Sequence, residues 1–221
     1  KPIRIWNLLH HKKKKWSVFL YLPTPRNFSV FASFFPPQKG CPEWRAIYEA
    51  WIPEDNMTER VHRDHVPYDK WVSQKVLHAT PGNVIDYEFV QSRIMALSRQ
   101  YRIVALATDP WNSRMLTQEL MKKGLEIVEM PQTILHMSPA MKEIERLMKT
   151  GELTHEKHPV ARWCFGNISV AIDGNGNLKP MKNKSIEKID VIVAMINAMA
   201  IAMQMEDKQS VYERRGMASL L

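Results

Sequence analysis

With 221 residues, 45% of them hydrophobic and 24% charged, the chain is too apolar to be disordered and long enough to bury a substantial core. Its formal charge of +8 favours anionic partners, nucleic acid or an acidic membrane surface, without choosing between them. The only cysteines, Cys41 and Cys164, exclude a disulfide framework and a cysteine-based zinc site, and read as buried free thiols.

No apolar run is long enough to span a bilayer, and no secretory signal is visible. The first residue is Lys1 rather than Met, which suggests a piece of a longer protein. His10 to Lys15 reads HHKKKK, expected as a solvated arm. Trp16 to Leu22 and Phe28 to Phe35 are rich in β-branched and aromatic residues, and Pro23, Pro25 and Asn27 punctuate the gap between them. With Arg45 to Ile52 they predict three strands in an antiparallel meander. Two short helices are expected next, one capped by Thr58 and one over Tyr68 to Val76. Asp86 reads as the N-cap of a longer helix with Phe89, Val90, Ile94 and Leu97 on one face.

Ile103 to Ala107 is a short apolar run that leads into Thr108, Asp109 and Pro110. It predicts a buried strand with a carboxylate at its carboxyl end. A helix over Asn112 to Lys123, closed by Gly124, and a strand over Leu125 to Met130 complete a βαβ unit with parallel strands. Ser138 is expected to cap a helix running to Lys149, with Pro139 in its first turn. Ala161 to Ile172 reads as strand, and Asp173 to Asn177 (DGNGN) as a turn. The last element predicted is a helix from Ile186 to Met205, with Ile189, Val193, Ile196, Ala200 and Met203 as its apolar stripe. The tail beyond Asp207 is polar and expected to fray.

Metal-assisted hydrolysis of a phosphodiester needs hard oxygen ligands converging on one point, and a pair of ions can clamp the attacking and leaving oxygens. Asp109, at a strand end, and Asp190, in the first turn of the last helix, are the carboxylates placed for this. Each also fits a plain role: Asp109 as turn chemistry before Pro110, Asp190 as a favourable charge at a helix N-terminus. His62 and His65 lack the spacing of a zinc pair, while His155 and His158 read as solvated loop residues. Trp111, Trp163 and Phe165 suit either base stacking or core filling.

Several segments together resemble the nuclease domain of tailed-phage terminase large subunits. They are WIPEDN (Trp51 to Asn56), RDHVPYDKW (Arg63 to Trp71), TPGNVIDYEFV (Thr80 to Val90) and ATDPWN (Ala107 to Asn112). MSPAMKEIERLMKTGELTH (Met137 to His155), RWCFGN (Arg162 to Asn167) and KPMKNKSIEKIDVIVAMINAMA (Lys179 to Ala200) continue the series in the family's order and spacing. The likeness covers roughly Phe28 to Leu221.

The resemblance implies an α/β, RNase H-like mixed sheet flanked by helices. It divides the chain into a divergent segment, 1–27, that holds an altered first strand, a nuclease domain over 28–206 and a polar tail over 207–221. It implies an endonuclease that cuts concatemeric double-stranded DNA in the host-cell cytoplasm during genome packaging. It further implies acidic residues holding Mg²⁺ or Mn²⁺, a terminase ATPase domain, small terminase subunit and portal as partners, and no membrane. Asp109 matches the family's second acidic motif and Asp190 the third. Lys182 and Lys184, just ahead of the last helix, are candidates to touch the DNA backbone, or belong to a solvated basic loop.

The first acidic motif is missing. Counting back from the Phe28 to Phe31 segment places Tyr21 where its key Asp belongs and Asn27 where a second Asp follows, and no Asp precedes Asp55. A phenol with a pKa near 10 replaces a carboxylate poorly between hard cations. Glu43, Glu49 and Glu54 are the carboxylates that could replace it, each read by default as a surface residue. There is no G-x-x-x-x-G-K-[ST] phosphate loop, so this chain alone is not the motor. Three readings follow: an endonuclease, a catalytically impaired prophage remnant that keeps the fold and DNA affinity, and an assembly piece that docks through its Met-rich last helix.

Overall fold

The computed structural model describes residues 15–21, 28–37, 40–108, 114–181 and 188–218, with side chains throughout except at 15–21, 114 and 205–218. Strands β1 (Lys15–Tyr21), β2 (Ser29–Phe35) and β3 (Trp44–Pro53) form the predicted antiparallel meander. Three short strands turn it into a mixed sheet. β4 (His78–Thr80) and β8 (Leu153–His155) add in parallel to the two ends of β3, and β5 (Arg102–Ile103) adds in parallel to β1. After a break at residues 104–105, β6 (Leu106–Thr108) packs beside β1 and pairs in parallel with β7 (Ile127–Glu129), as the βαβ reading requires.

Every residue of β2 is buried, as expected for a central strand covered on both faces. Alternation along the strands sorts the side chains. Val30, Ala32 and Phe34 of β2, with Ala46, Tyr48, Ala50 and Ile52 of β3, join the core that contains α7 (Asp190–Ala218). Phe31, Phe35, Ile47 and Trp51 point the other way. They pack on Val90, Ile94 and Leu97 of α3 (Tyr87–Gln100) and on Leu116 and Leu120 of α4 (Arg114–Lys122). Helix α7 crosses β1 and β2 and also meets β6.

Asp86 caps α3 as expected, accepting a hydrogen bond from the Glu88 N–H at 2.8 Å. Phe89 departs from the predicted apolar face and is exposed. Helices α1 (Met57–Asp64) and α2 (Tyr68–Ser73) fall where expected, although Asn56 rather than Thr58 precedes the first.

Three expectations are corrected. Helix α5 (Ile134–Thr150) begins before Ser138, not beyond it, and encloses Pro139. Ser138 is buried there and accepts the Leu178 N–H at 3.0 Å, so its hydroxyl tethers another element rather than capping its own. The stretch after Pro159 is helix α6 (Pro159–Asn167), with strand only at β9 (Val170–Ile172). Pro159 opens the helix, and Val160, Ala161 and Cys164 form a buried face at helical spacing that a run of mixed apolar residues conceals. Finally, α7 continues past Met205 to Ala218, through a segment rich in the helix formers Glu, Lys, Gln and Arg. The DGNGN segment does turn, joining β9 to β10 (Leu178–Pro180).

Candidate functional site

Asp190 is the first residue of α7 and half-buried. It stands at the positive end of a long helix. The chain leading into it is pinned residue by residue. The Asn167 side-chain amide donates to the Lys188 carbonyl at 3.3 Å, and the Ile189 carbonyl opens the helix by accepting from Ile192 at 2.9 Å and Val193 at 3.1 Å. The buried Cys164 thiol lies close enough for these groups to act on it. Burial pushes its pKa up to about 12, Asp190 adds to the rise, and the Val191 backbone and Lys188 oppose it.

Asp109 lies outside the described residues, as do Lys182, Lys184 and Trp111. The strand that runs into Asp109 is in place. β6 ends at Thr108, 2% exposed, and borders both β1 and α7. Tyr21 is the last residue of β1, opposite Val30 of β2. Among the described residues, no group of three or more His, Cys, Asp and Glu is gathered as a metal would need.

Two of the three carboxylates that could stand in for the missing Asp, Glu43 and Glu49, are engaged by other side chains. Glu49 is not a surface residue. It is buried on β3, opposite Phe31 of β2, whose side chain belongs to the α3 core. Both its oxygens are taken by Arg93 of α3, from Nε and from Nη2, at 2.7 Å each. Glu43 accepts the Thr154 hydroxyl, and Glu54 is exposed.

A second polar cluster borders the start of α7. The Lys188 ammonium donates to Asp64 Oδ2 at 3.0 Å and to the Tyr68 hydroxyl at 2.7 Å, and stands 5.0 Å from the Tyr68 ring centre. Tyr68 donates to the same Asp64 oxygen at 3.0 Å, and Arg63 reaches the carboxylate at 2.7 Å. Burial alone would raise the Asp64 pKa. The hydrogen bonds from Arg63 and Lys188, the Lys188 charge and the Tyr68 hydroxyl outweigh it and bring the pKa down to about 2. Reading the sequence missed this cluster because Lys188 lies more than a hundred residues from Arg63, Asp64 and Tyr68. The RDHVPYDKW and EKID segments were the only signal.

Trp163 fills space between Tyr68 and Trp71, with ring centres at 6.1 and 5.7 Å, and Phe165 packs against the same core. Core filling therefore accounts for both. His62, His65 and His155 are exposed, while His158 is buried, contrary to the solvated-loop reading.

The family profile of the terminase large subunit endonuclease domain matches residues 45–206. The large terminase subunit of Enterobacteria phage HK97 is 34% identical over 161 residues, spanning 72% of this chain and 32% of that protein. The HK97 large terminase crystal structure superimposes with a TM-score of 0.78 at 29% identity, over 89% of this chain and 42% of that one. The chain thus spans about a third of the length of the HK97 protein it matches. The large terminase nuclease of thermophilic phage G20c, in crystals with bound magnesium and with bound cobalt, shares the fold with TM-scores of 0.54 and 0.53. Identity is 13% in both, over 84% of this chain and 80% of that one. No described helix is long and apolar enough to cross a membrane. Profile, sequence relative and superposition agree, and the chain belongs to the terminase large subunit endonuclease domain family.

Proposed function

We propose that this chain is a metal-dependent endonuclease domain that cuts double-stranded DNA during phage genome packaging. Asp109 and Asp190 hold divalent metal, Mg²⁺ or Mn²⁺, and Lys182 and Lys184 contact the DNA backbone. The observation that carries the reading is the placement of Asp190, half-buried at the head of a helix packed on β1 and on β6, the strand that leads into Asp109. Carboxylate oxygen is the donor these hard cations prefer, and the metals bound in the G20c nuclease are of this divalent kind. When bound, such ions activate water and stabilise charge on the phosphate. The chain's own contribution is to hold carboxylates where the ions converge and to draw the DNA phosphates in with a basic surface. By the same family reading, the full protein works with an ATPase domain, a small terminase subunit and a portal in the host-cell cytoplasm.

A second reading is favoured by Tyr21 and by the engagement of Glu49 with Arg93 and of Glu43 with Thr154. In it, the fold and DNA affinity persist while the ligand set is one carboxylate short. Cleavage of supercoiled plasmid with Mn²⁺ separates the two. The endonuclease reading expects nicking by the unaltered chain that Asp109→Ala abolishes. Silence of the unaltered chain, with cutting restored by Tyr21→Asp, establishes the impaired copy instead.

A further inference from the structure

We infer that Lys188 is a positioning residue for the metal site, clamping the chain just ahead of α7 so that the Asp190 carboxylate is held in place. The inference rests on the metal-site reading above. A lysine is an unexpected neighbour for that site, since it sits at the positive end of a helix dipole and beside the place where dications would gather. A solvated lysine would swing away. Lys188 instead has a side chain only 17% exposed, and it turns inward to Asp64, itself 10% exposed. Its ammonium is held at Asp64 Oδ2 and at the hydroxyl of fully buried Tyr68, and stands 6.0 Å from the Trp163 ring centre.

The geometry converts this into a constraint on Asp190. The Lys188 side chain ties the chain to α1 and α2, its carbonyl ties it to Asn167 of α6, and Ile189 is buried at 2% exposure. One residue, Ile189, separates the clamp from the carboxylate. Asp64 offsets the clamp's charge only in part, since Arg63 pairs with the same carboxylate. Groups hydrogen-bonded to a metal ligand typically govern affinity by about 10–100-fold, and Lys188 acts one step further out, through the backbone, so the low end of that range applies.

The test is Mn²⁺ titration calorimetry on the unaltered chain, or on the Tyr21→Asp background if the unaltered chain takes up no metal. Lys188→Met is expected to weaken Mn²⁺ binding about tenfold, with Lys188→Arg recovering most of it. The double variant Asp64→Asn/Lys188→Met, which leaves no uncompensated carboxylate, is expected to fold and to bind as weakly as Lys188→Met. A purely electrostatic lysine predicts the opposite sign, since removing its charge would tighten metal binding. Unchanged or tighter binding in Lys188→Met and in the double variant overturns the inference, provided Asp190→Ala abolishes binding. If Asp190→Ala leaves binding intact, or neither background binds Mn²⁺, the metal-site reading fails and takes the inference with it.

Discussion

His158 is 8% exposed, with its ring edge-on to Tyr48 at 6.4 Å. Burial is the main cause that brings its pKa down to about 4. A backbone hydrogen bond at Val76 resists, and the nearby His78 adds to the fall. An unfolded histidine titrates near pH 6.5, so between about pH 6.5 and about 4 the unfolded chain takes up a proton that the folded chain refuses. Stability is therefore expected to fall as pH drops through that window, by roughly 3 kcal/mol at most, and to level off for this group below it. Urea denaturation at pH 7 and pH 5 checks this, and His158→Gln should flatten the difference. Asp64 acts in the same direction over a lower window. Its depressed pKa contributes stability that is full above about pH 4 and lost as pH falls toward about 2. The thiols are expected to be inert. Both are buried and the Cys164 pKa is pushed up to about 12, so thiol reagents at neutral pH should label neither until the chain is unfolded. Reading the sequence anticipated the buried thiols but not the buried histidine. Cysteine is usually hidden, whereas a histidine between Lys157 and Pro159 carries no local sign that β3 lies over it.

Among the elements, legibility followed periodicity. The meander, the βαβ unit and α3 were all readable, because strands and amphipathic helices of ordinary length carry their own signature. Strands β4, β8 and β10 were not, since three residues hold too little alternation to register and their pairing is decided by β3 or by the hairpin turn. Helix α6 was read as strand because its apolar residues face a core on one side and pack partly on the other, so the period is blurred. The Glu49–Arg93 pair joins β3 to α3 with two hydrogen bonds of 2.7 Å, one side chain 9% exposed and the other 32%. Breaking a paired charge at a site this dry leaves the partner uncompensated. Glu49→Gln is expected to cost about 2 kcal/mol in chemical denaturation while leaving the metal dependence of any cleavage unchanged. A lost metal requirement in that variant would instead return Glu49 to the candidate ligands.

For the whole molecule, the sheet with helices on both faces followed from the family resemblance, and the superposition on the HK97 terminase agrees with it. The candidate site was legible only as single residues. Asp190 announces itself as an acid at the head of an apolar helix, whereas the Lys188 clamp exists only once α1, α2, α6 and α7 have packed. A surplus of +8 predicts DNA binding whose affinity falls steeply with salt, by a factor of ten or more between about 50 and 200 mM in a titration with duplex of arbitrary sequence. The central claim is that Asp109 and Asp190 share divalent metal, and crystals soaked in Mn²⁺ test it most directly. The account predicts anomalous density coordinated by both carboxylates, at oxygen distances of about 2.0–2.2 Å. Two carboxylates too far apart to share an ion, or density bound away from both, would contradict it.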